Sequence, residues 1–303
     1  QQNGSTYQMI DSRFPAGTGS ATYVYDHNNG SPKLVESSSA TSGWPASGVS
    51  VLAHTKDTID YFKINHNTNA PYPDGSDLRV TIDANFEGAN FHPLKPEMNI
   101  GIGQGNFAKT GLSLAAKDVI GHEITHGLIS KTSRLKYEHQ SGALNESFSD
   151  FFGAMIDNED WLIGEDLKSP SGKALRDMAN PGAGLSQQPY HIDQYQRQPN
   201  TEAGNWGGVH KYSGIPNRAL YLLADGLPGS IGRQKTANLA FKTMTSLTSL
   251  ATFNDAAEYM INLAAQEYPG DPEVLEATTS AWKAVGLPQQ DTTKSIISNT
   301  ALS

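Results

Sequence analysis

His122 and His126 stand four residues apart in VIGHEITHGL (residues 119–128), with Glu123 directly after the first. On a helix, side chains four apart lie on one face, one turn above another. Two imidazoles at that spacing can share a metal ion, and the carboxylate between them points slightly aside, where it can take a proton from a water. A helix with two surface histidines has the same local spacing, so the pair alone does not make a zinc site. A third ligand must come from elsewhere. SGALNESFSD (residues 141–150) offers one: Glu146 follows His126 by 20 residues, enough for the chain to turn back antiparallel. Asp150, one turn beyond Glu146, can accept a hydrogen bond from the outer nitrogen of a ligand histidine, and Asn145 can do so for the other. Such bonds fix the tautomer and raise the basicity of the ligand. The joint occurrence of these parts favours the metal site over the ordinary helix.

These residues need two packed helices to hold them, and the pattern supplies both. LSLAAKDVIGHEITHGLIS places Leu112, Ala116, Val119, Ile120, Ile124 and Leu128 at helical spacing. A second helical pattern runs from about residue 142 through ALNESFSDFFGAMI. The first hundred residues, rich in Ser, Thr, Gly and Asn, read as strands joined by turns. TYVYD (22–26) precedes a hairpin signal at Asn29-Gly30, and DLRVTID (77–83) alternates as a half-buried strand. Near the end Asn254 is placed to cap one helix, while Asp271-Pro272 opens another that Gly286 closes. Residues after 288 carry no clear pattern and read as a loosely attached tail. The reading is an α+β fold with two lobes. Residues 1–130 form a β-rich lobe ending in the histidine-bearing helix, and 131–303 an α-helical lobe. That helix forms the floor of the cleft between them.

Composition narrows the chemistry. The chain of 303 residues has no cysteine, which removes thiol nucleophiles, disulfides and thiolate-bound metals and leaves His, Asp and Glu as ligands. A net charge of −9 with no basic run speaks against nucleic acid or an anionic membrane surface as partner. No apolar run approaches the roughly 20 residues that span a bilayer. There is no basic leader followed by an apolar stretch, so a signal peptide is expected to be absent or already removed.

DVIGHEITHGL, GALNESFSD and GGVHKYSGI (207–215) together resemble the thermolysin-like neutral zinc metalloproteases in residue type, order and spacing. The resemblance extends to AWKAVGL (281–287) and is weak before residue 110. A metzincin would need Gly at 129 and His at 132, where this chain has Ile129 and Thr132. The resemblance implies a secreted endopeptidase, matured by loss of its own pro-segment, monomeric, and acting on proteins and peptides. It implies zinc on His122, His126 and Glu146, with Glu123 as general base for a zinc-bound water. Tyr137 and His210 then donate to the oxyanion, and Arg176 binds a substrate carbonyl beyond the cleaved bond. Val119 and Leu175 line the pocket for the residue after that bond, which favours large hydrophobic side chains there. Asn90 hydrogen-bonds the substrate backbone at a cleft-edge strand. Asp118, Asp157, Asp160 and Glu165 match ligands of a structural calcium, and Leu162 in place of a common Glu argues for one ion rather than two.

Departures from the family pattern fall beside the motif. Asn205 stands where an aspartate usually orients the histidine. It is expected to orient the His210 ring by accepting a hydrogen bond while supplying no charge, which lowers the pKa of His210; Glu202 is an alternative source of the carboxylate. The edge strand reads GANFHPLKPEM, and Pro93 has no N–H to give a bound peptide. Two other readings are a binding protein on an inactive scaffold and an aminopeptidase. The first leaves the retained Glu123 without purpose, and the second lacks a motif for a free substrate amine.

Overall fold

Leu78, Val80 and Ile82 of DLRVTID all point into the core, and the strand they belong to is the centre of the largest sheet. The structure is a computed structural model that describes residues 2–3, 5–12, 21–27 and 31–289. Its strands are β1 (Gln2–Asn3), β2 (Thr6–Gln8), β3 (Ile10–Asp11), β4 (Thr22–Asp26), β5 (Lys33–Leu34), β6 (Glu36–Ser37), β7 (Leu78–Ala84), β8 (Ala89–Phe91), β9 (Glu97–Gly101), β10 (Leu162–Ile163) and β11 (Arg176–Asp177). The central sheet runs β3-β4-β7-β9-β8, with β5 added beside β4. Around β7 the pairing is parallel, Val24 opposite Val80 and Val80 opposite Met98. The last pair is antiparallel, with Asn90 of β8 opposite Asn99. Among the described residues β8 therefore ends the sheet with one edge unpaired. The hairpin signal at Asn29-Gly30 and the tail after residue 289 lie outside the described residues.

The N-terminal half is less purely β than its composition implies. Helix α1 (Ala46–His66) runs for 21 residues behind the sheet. Its buried face is Gly48, Val51, Thr55, Thr58, Ile59 and Phe62. Half of that face is small or polar, so no apolar stripe marks it. Thr58 can be buried because its hydroxyl donates to the His54 carbonyl at 2.8 Å.

Helices α2 (Lys117–Lys131) and α3 (His139–Asp157) pack along one another at the heart of the molecule. α2 is buried almost all round, as befits a central helix. The pair can approach closely because Gly153 has no side chain: a Cβ there would stand 2.7 Å from the Asp118 carbonyl oxygen. Around them lie α4 (Asn205–Tyr212), α5 (Gly214–Tyr221), α6 (Gly232–Ser246), α7 (Phe253–Glu267) and α8 (Pro272–Ala284). α8 begins after Asp271 with Pro272 in its first turn, and Gly286 beyond its end has φ +79°. The cap of α7 is Thr252, not Asn254. Thr252 and Asp255 satisfy each other's backbone N–H in a capping box, and Asn254 instead bonds the backbone of Gln289.

Candidate active site

His122 and His126 project from α2 toward Glu146 of α3, and their Nε2 atoms are 2.9 Å apart. Glu146 Oε2 is 3.6 Å from His122 Nε2, and Oε1 is 3.4 Å from His126 Nε2. The outer nitrogens face acceptors: His122 Nδ1 lies 2.9 Å from Asp150 Oδ1, and His126 Nδ1 lies 2.7 Å from Asn145 Oδ1. Ser149 Oγ stands 3.1 Å from the same His126 nitrogen. With both protons on Nδ1, both Nε2 lone pairs face one another and a carboxylate. Glu146 is fully buried, and among the described residues its Oε2 has no hydrogen-bond partner. Converging lone pairs and an orphaned buried carboxylate oxygen fit a cation. One ligand atom from each of the three residues can be chosen so that all lie within 4.8 Å of one another. Two imidazoles, one carboxylate and an open side suit zinc.

Besides facing His122, Asp150 is held by two groups. Arg176 donates to it from Nε, at 3.0 and 2.8 Å to the two oxygens, and from Nη2 at 2.6 Å. Asn217 of α5 adds a bond of 2.8 Å to Oδ2. Burial alone would raise the pKa of Asp150; Arg176 and His122 outweigh it and bring it below the usual range. Glu146 behaves likewise: burial opposes ionisation, but His210, His126 and His122 hold the carboxylate well below its ordinary value. Glu123 differs. Burial dominates and raises its pKa, against the pull of the two histidines, which suits a group that must accept a proton.

At the mouth, Tyr137 donates to Glu146 Oε1 at 2.5 Å and lies 3.0 Å from His210 Nε2. His210 is set by Asn205, in a manner opposite to that expected. Asn205 Oδ1 accepts the backbone N–H of His210 at 2.8 Å, which turns its amide nitrogen toward His210 Nδ1 at 2.7 Å. An amide nitrogen can only donate, so Nδ1 accepts and the ring proton sits on Nε2, facing the cleft. Burial keeps the pKa of His210 below the ordinary imidazole value, Glu146 pulling the other way. Glu202 is exposed, and among the described residues it forms no ion pair with His210. Gln188 donates to the His210 carbonyl at 2.6 Å.

The description "Thermolysin metallopeptidase, catalytic domain" matches residues 1–130 and "Thermolysin metallopeptidase, alpha-helical domain" matches residues 133–287. The chain belongs to the thermolysin metallopeptidase family. Among its relatives, neutral protease NprE of Bacillus pumilus is 37% identical over 290 residues, covering 94% of this chain and 93% of that one. Bacillolysin of Brevibacillus brevis is 34% identical over 296 residues, 94% of this chain and 54% of the relative. The chain thus spans about half the length of most of the curated relatives it matches. The solved precursor of protealysin, a metalloproteinase from Serratia proteamaculans, shares the fold with a TM-score of 0.76 at 29% identity, over 92% of this chain and 91% of that one.

On this thermolysin-like frame two cavities flank Glu123, and both touch His122, Glu123 and His210. One, of about 250 Å³, is lined by Val119, Leu175 and Arg176 together with Phe107, Leu114 and Leu167. The other, of about 710 Å³, runs past Asn90 and Phe91 of β8, Pro93, Leu94, Tyr137 and Trp206. Asn90 is exposed, its Oδ1 accepting from Asn99 at 3.0 Å. Pro93 lies beyond the end of β8 at Phe91, so the missing donor belongs to the following turn rather than to the strand.

A second group of carboxylates gathers at the far end of the helix pair. Asp118, on the first turn of α2, is buried and accepts the Gly164 N–H. Asp157 ends α3, Asp160 accepts the Leu162 N–H at 2.7 Å, and Glu165 follows on a short 3₁₀ turn (Glu165–Leu167). Glu165 Oε2 is buried without a hydrogen-bond partner among the described residues. Burial and then Asp118, Asp160 and Asp157 push the Glu165 pKa up to about 8, and burial lifts Asp118 to about 6. Sequence reasoning missed Asn217, Gln188, Ser149 and Trp206. Ser149 lies inside a quoted motif, and Asn217 and Gln188 act on residues it had already named, but their partners are set by tertiary approach.

Proposed function

We propose that the chain is a zinc-dependent endopeptidase that hydrolyses peptide bonds. The carrying observation is the convergence of His122, His126 and Glu146 beside a buried Glu123, with two donors at the open side. His122, His126 and Glu146 would hold the metal, and bound zinc supplies Lewis-acid polarisation and acidifies water. Glu123, its pKa raised by burial, takes a proton from the attacking water and delivers it to the leaving nitrogen. Tyr137 O–H and His210 Nε2–H donate to the oxyanion that develops on the substrate. Asn145 and Asp150 keep the ligand imidazoles in the Nδ1–H tautomer.

Substrate lies along the free edge of β8, with Asn90 pairing its backbone. The pocket of Val119 and Leu175 takes a large hydrophobic residue after the scissile bond, and Arg176 at its wall receives the next carbonyl while staying bound to Asp150. Asp118, Asp157, Asp160 and Glu165 hold one structural calcium, as their unpaired negative charge suggests. Among the described residues no helix is long and apolar enough to cross a membrane. Family membership supports a secreted, monomeric chain matured from a pro-segment, and we take its lobes to divide between residues 130 and 131.

The test is casein cleavage by the zinc-loaded chain and by Glu123→Gln, with bound zinc measured in both. A loss of about 10²–10⁴-fold in the variant with zinc retained is expected. Full activity in Glu123→Gln overturns the mechanism. Retained zinc with no activity in the unaltered chain overturns the endopeptidase reading.

A further inference from the structure

The two cavities flanking Glu123 differ in kind. The one at Val119 and Leu175 receives the residue after the scissile bond, so the larger one receives residues ahead of it. Its apolar lining includes Phe91, Pro93, Leu94 and Trp206. Leu94 is 81% exposed and Trp206 43% exposed, large apolar surfaces that the fold itself does not cover.

Trp206 is held in place at a conformational cost. Asn205, Trp206, Gly207 and Gly208 are four successive left-handed residues, with φ of 52°, 51°, 87° and 83°. Glycine tolerates this region and a bulky aromatic does not favour it. The turn is pinned by the Trp206 N–H to the Thr201 carbonyl at 2.8 Å and by the Gly207 N–H to the Pro199 carbonyl at 3.0 Å. The same turn carries Asn205, which orients His210. The Trp206 backbone is therefore fixed relative to a proposed oxyanion donor, and its partly exposed side chain lines the cleft. Packing does not account for it.

A separate observation concerns charge. Arg134 and Lys136 line the same cavity, are exposed, and form no ion pair among the described residues. In a chain of net charge −9 these are two cations without an ion-pair partner at the mouth of a cavity whose carboxylates, Glu123 and Glu146, face the histidines instead. They favour an acidic side chain on the bound peptide.

We propose that the acyl side of the cleft is a subsite for a bulky, preferably aromatic, side chain packed against Trp206, with an acidic neighbour drawn by Arg134 and Lys136. Trp206 is the specificity-determining residue, and acidic–aromatic peptides are the substrate class. This rests on the endopeptidase reading.

The experiment uses fluorogenic peptides that share one scissile bond and differ only ahead of it: Ala-Ala, Ala-Phe, Phe-Ala and their Glu-containing counterparts. With the full chain, the better Phe peptide should exceed Ala-Ala in kcat/KM by about tenfold. In Trp206→Asn, chosen because Asn tolerates the left-handed backbone, that ratio should fall to within about twofold, mainly through KM, and Trp206→Phe should restore most of it. The Glu preference should be roughly threefold at low salt, and should vanish in Arg134→Gln/Lys136→Gln or on raising salt to about 0.5 M. An unchanged Phe/Ala ratio in Trp206→Asn overturns the aromatic subsite, and an unchanged Glu preference in the double variant overturns the acidic one. Failure of the unaltered chain to cleave any peptide overturns the endopeptidase reading instead. Binding of the same peptides to zinc-loaded Glu123→Gln, followed by tryptophan fluorescence, then tests the subsite without turnover: equal affinity for Phe and Ala peptides overturns it.

Discussion

Along the contact between α2 and α3 lie two groups of carboxylates that share a scaffold and little else. Glu146 and Asp150 are fully buried, yet surrounding His and Arg groups hold both below their ordinary pKa. Asp118, Asp157, Asp160 and Glu165 are on average less deeply buried, yet Asp118, Asp157 and Glu165 are pushed upward, because burial, with mutual repulsion added, outweighs the backbone N–H groups and the few cations that oppose it. Depth alone does not decide the fate of a buried acid; the count of protein cations facing it does. The first group carries its own counter-charge and a gap for one ion at its rim. The second has the charge of an ion built into its deficit.

The largest effect should come from breaking the compensated group. Asp150→Ala leaves Arg176 buried and unpaired and removes the acceptor of His122, so the urea midpoint should report a loss of about 3–5 kcal/mol. A loss under 1 kcal/mol would mean the two groups are not electrostatically different.

The next test uses pH. In the calcium-free chain, Glu165 near 8 and Asp118 near 6 bind protons more tightly when folded than unfolded. Their contribution is present below about pH 4.5 and is lost as pH rises toward 8. Glu146 and Asp150 have the opposite sign, their contribution present above the carboxylate range and lost as pH falls through it. The chelator-treated chain should therefore lose melting temperature between pH 5 and 8, and added calcium should abolish that slope. Glu165→Gln should recover on the order of 1 kcal/mol in chelator above pH 7, discounted because the group is only half-buried. An equal slope with and without calcium would dissolve the distinction.

The smallest effect concerns the one place where the compensated group lacks a carboxylate. Asn205→Asp sets a negative charge beside His210 Nδ1 and should raise its pKa. The alkaline limb of kcat/KM should move up in the variant. Coincident limbs would show that Asn205 leaves the ring's titration untouched.

The metal motif was legible because its parts obey helical spacing: residues four apart on α2, then Glu146 and Asp150 one turn apart on α3. The same rule failed for α1, whose inward face relies on Gly48, Thr55 and Thr58 and so carries no apolar period. The cap of α7 was misplaced by two residues because Asn254 and Thr252 are both good capping types, and only the reciprocal bond to Asp255 separates them. Asn205 was found as a departure, but the direction of its hydrogen bond was not. That direction depends on the backbone N–H of His210 claiming the amide oxygen, a consequence of the left-handed turn that spacing does not reveal.

The contact at Gly153 has a further consequence. The distance between α2 and α3 is limited by backbone meeting backbone, where a single Cβ would stand 2.7 Å from the Asp118 carbonyl. The ligand cage is thus metered by main-chain atoms, independently of whichever ion enters it. Its rigidity belongs to the helix pair, and the metal inherits a geometry it does not have to build.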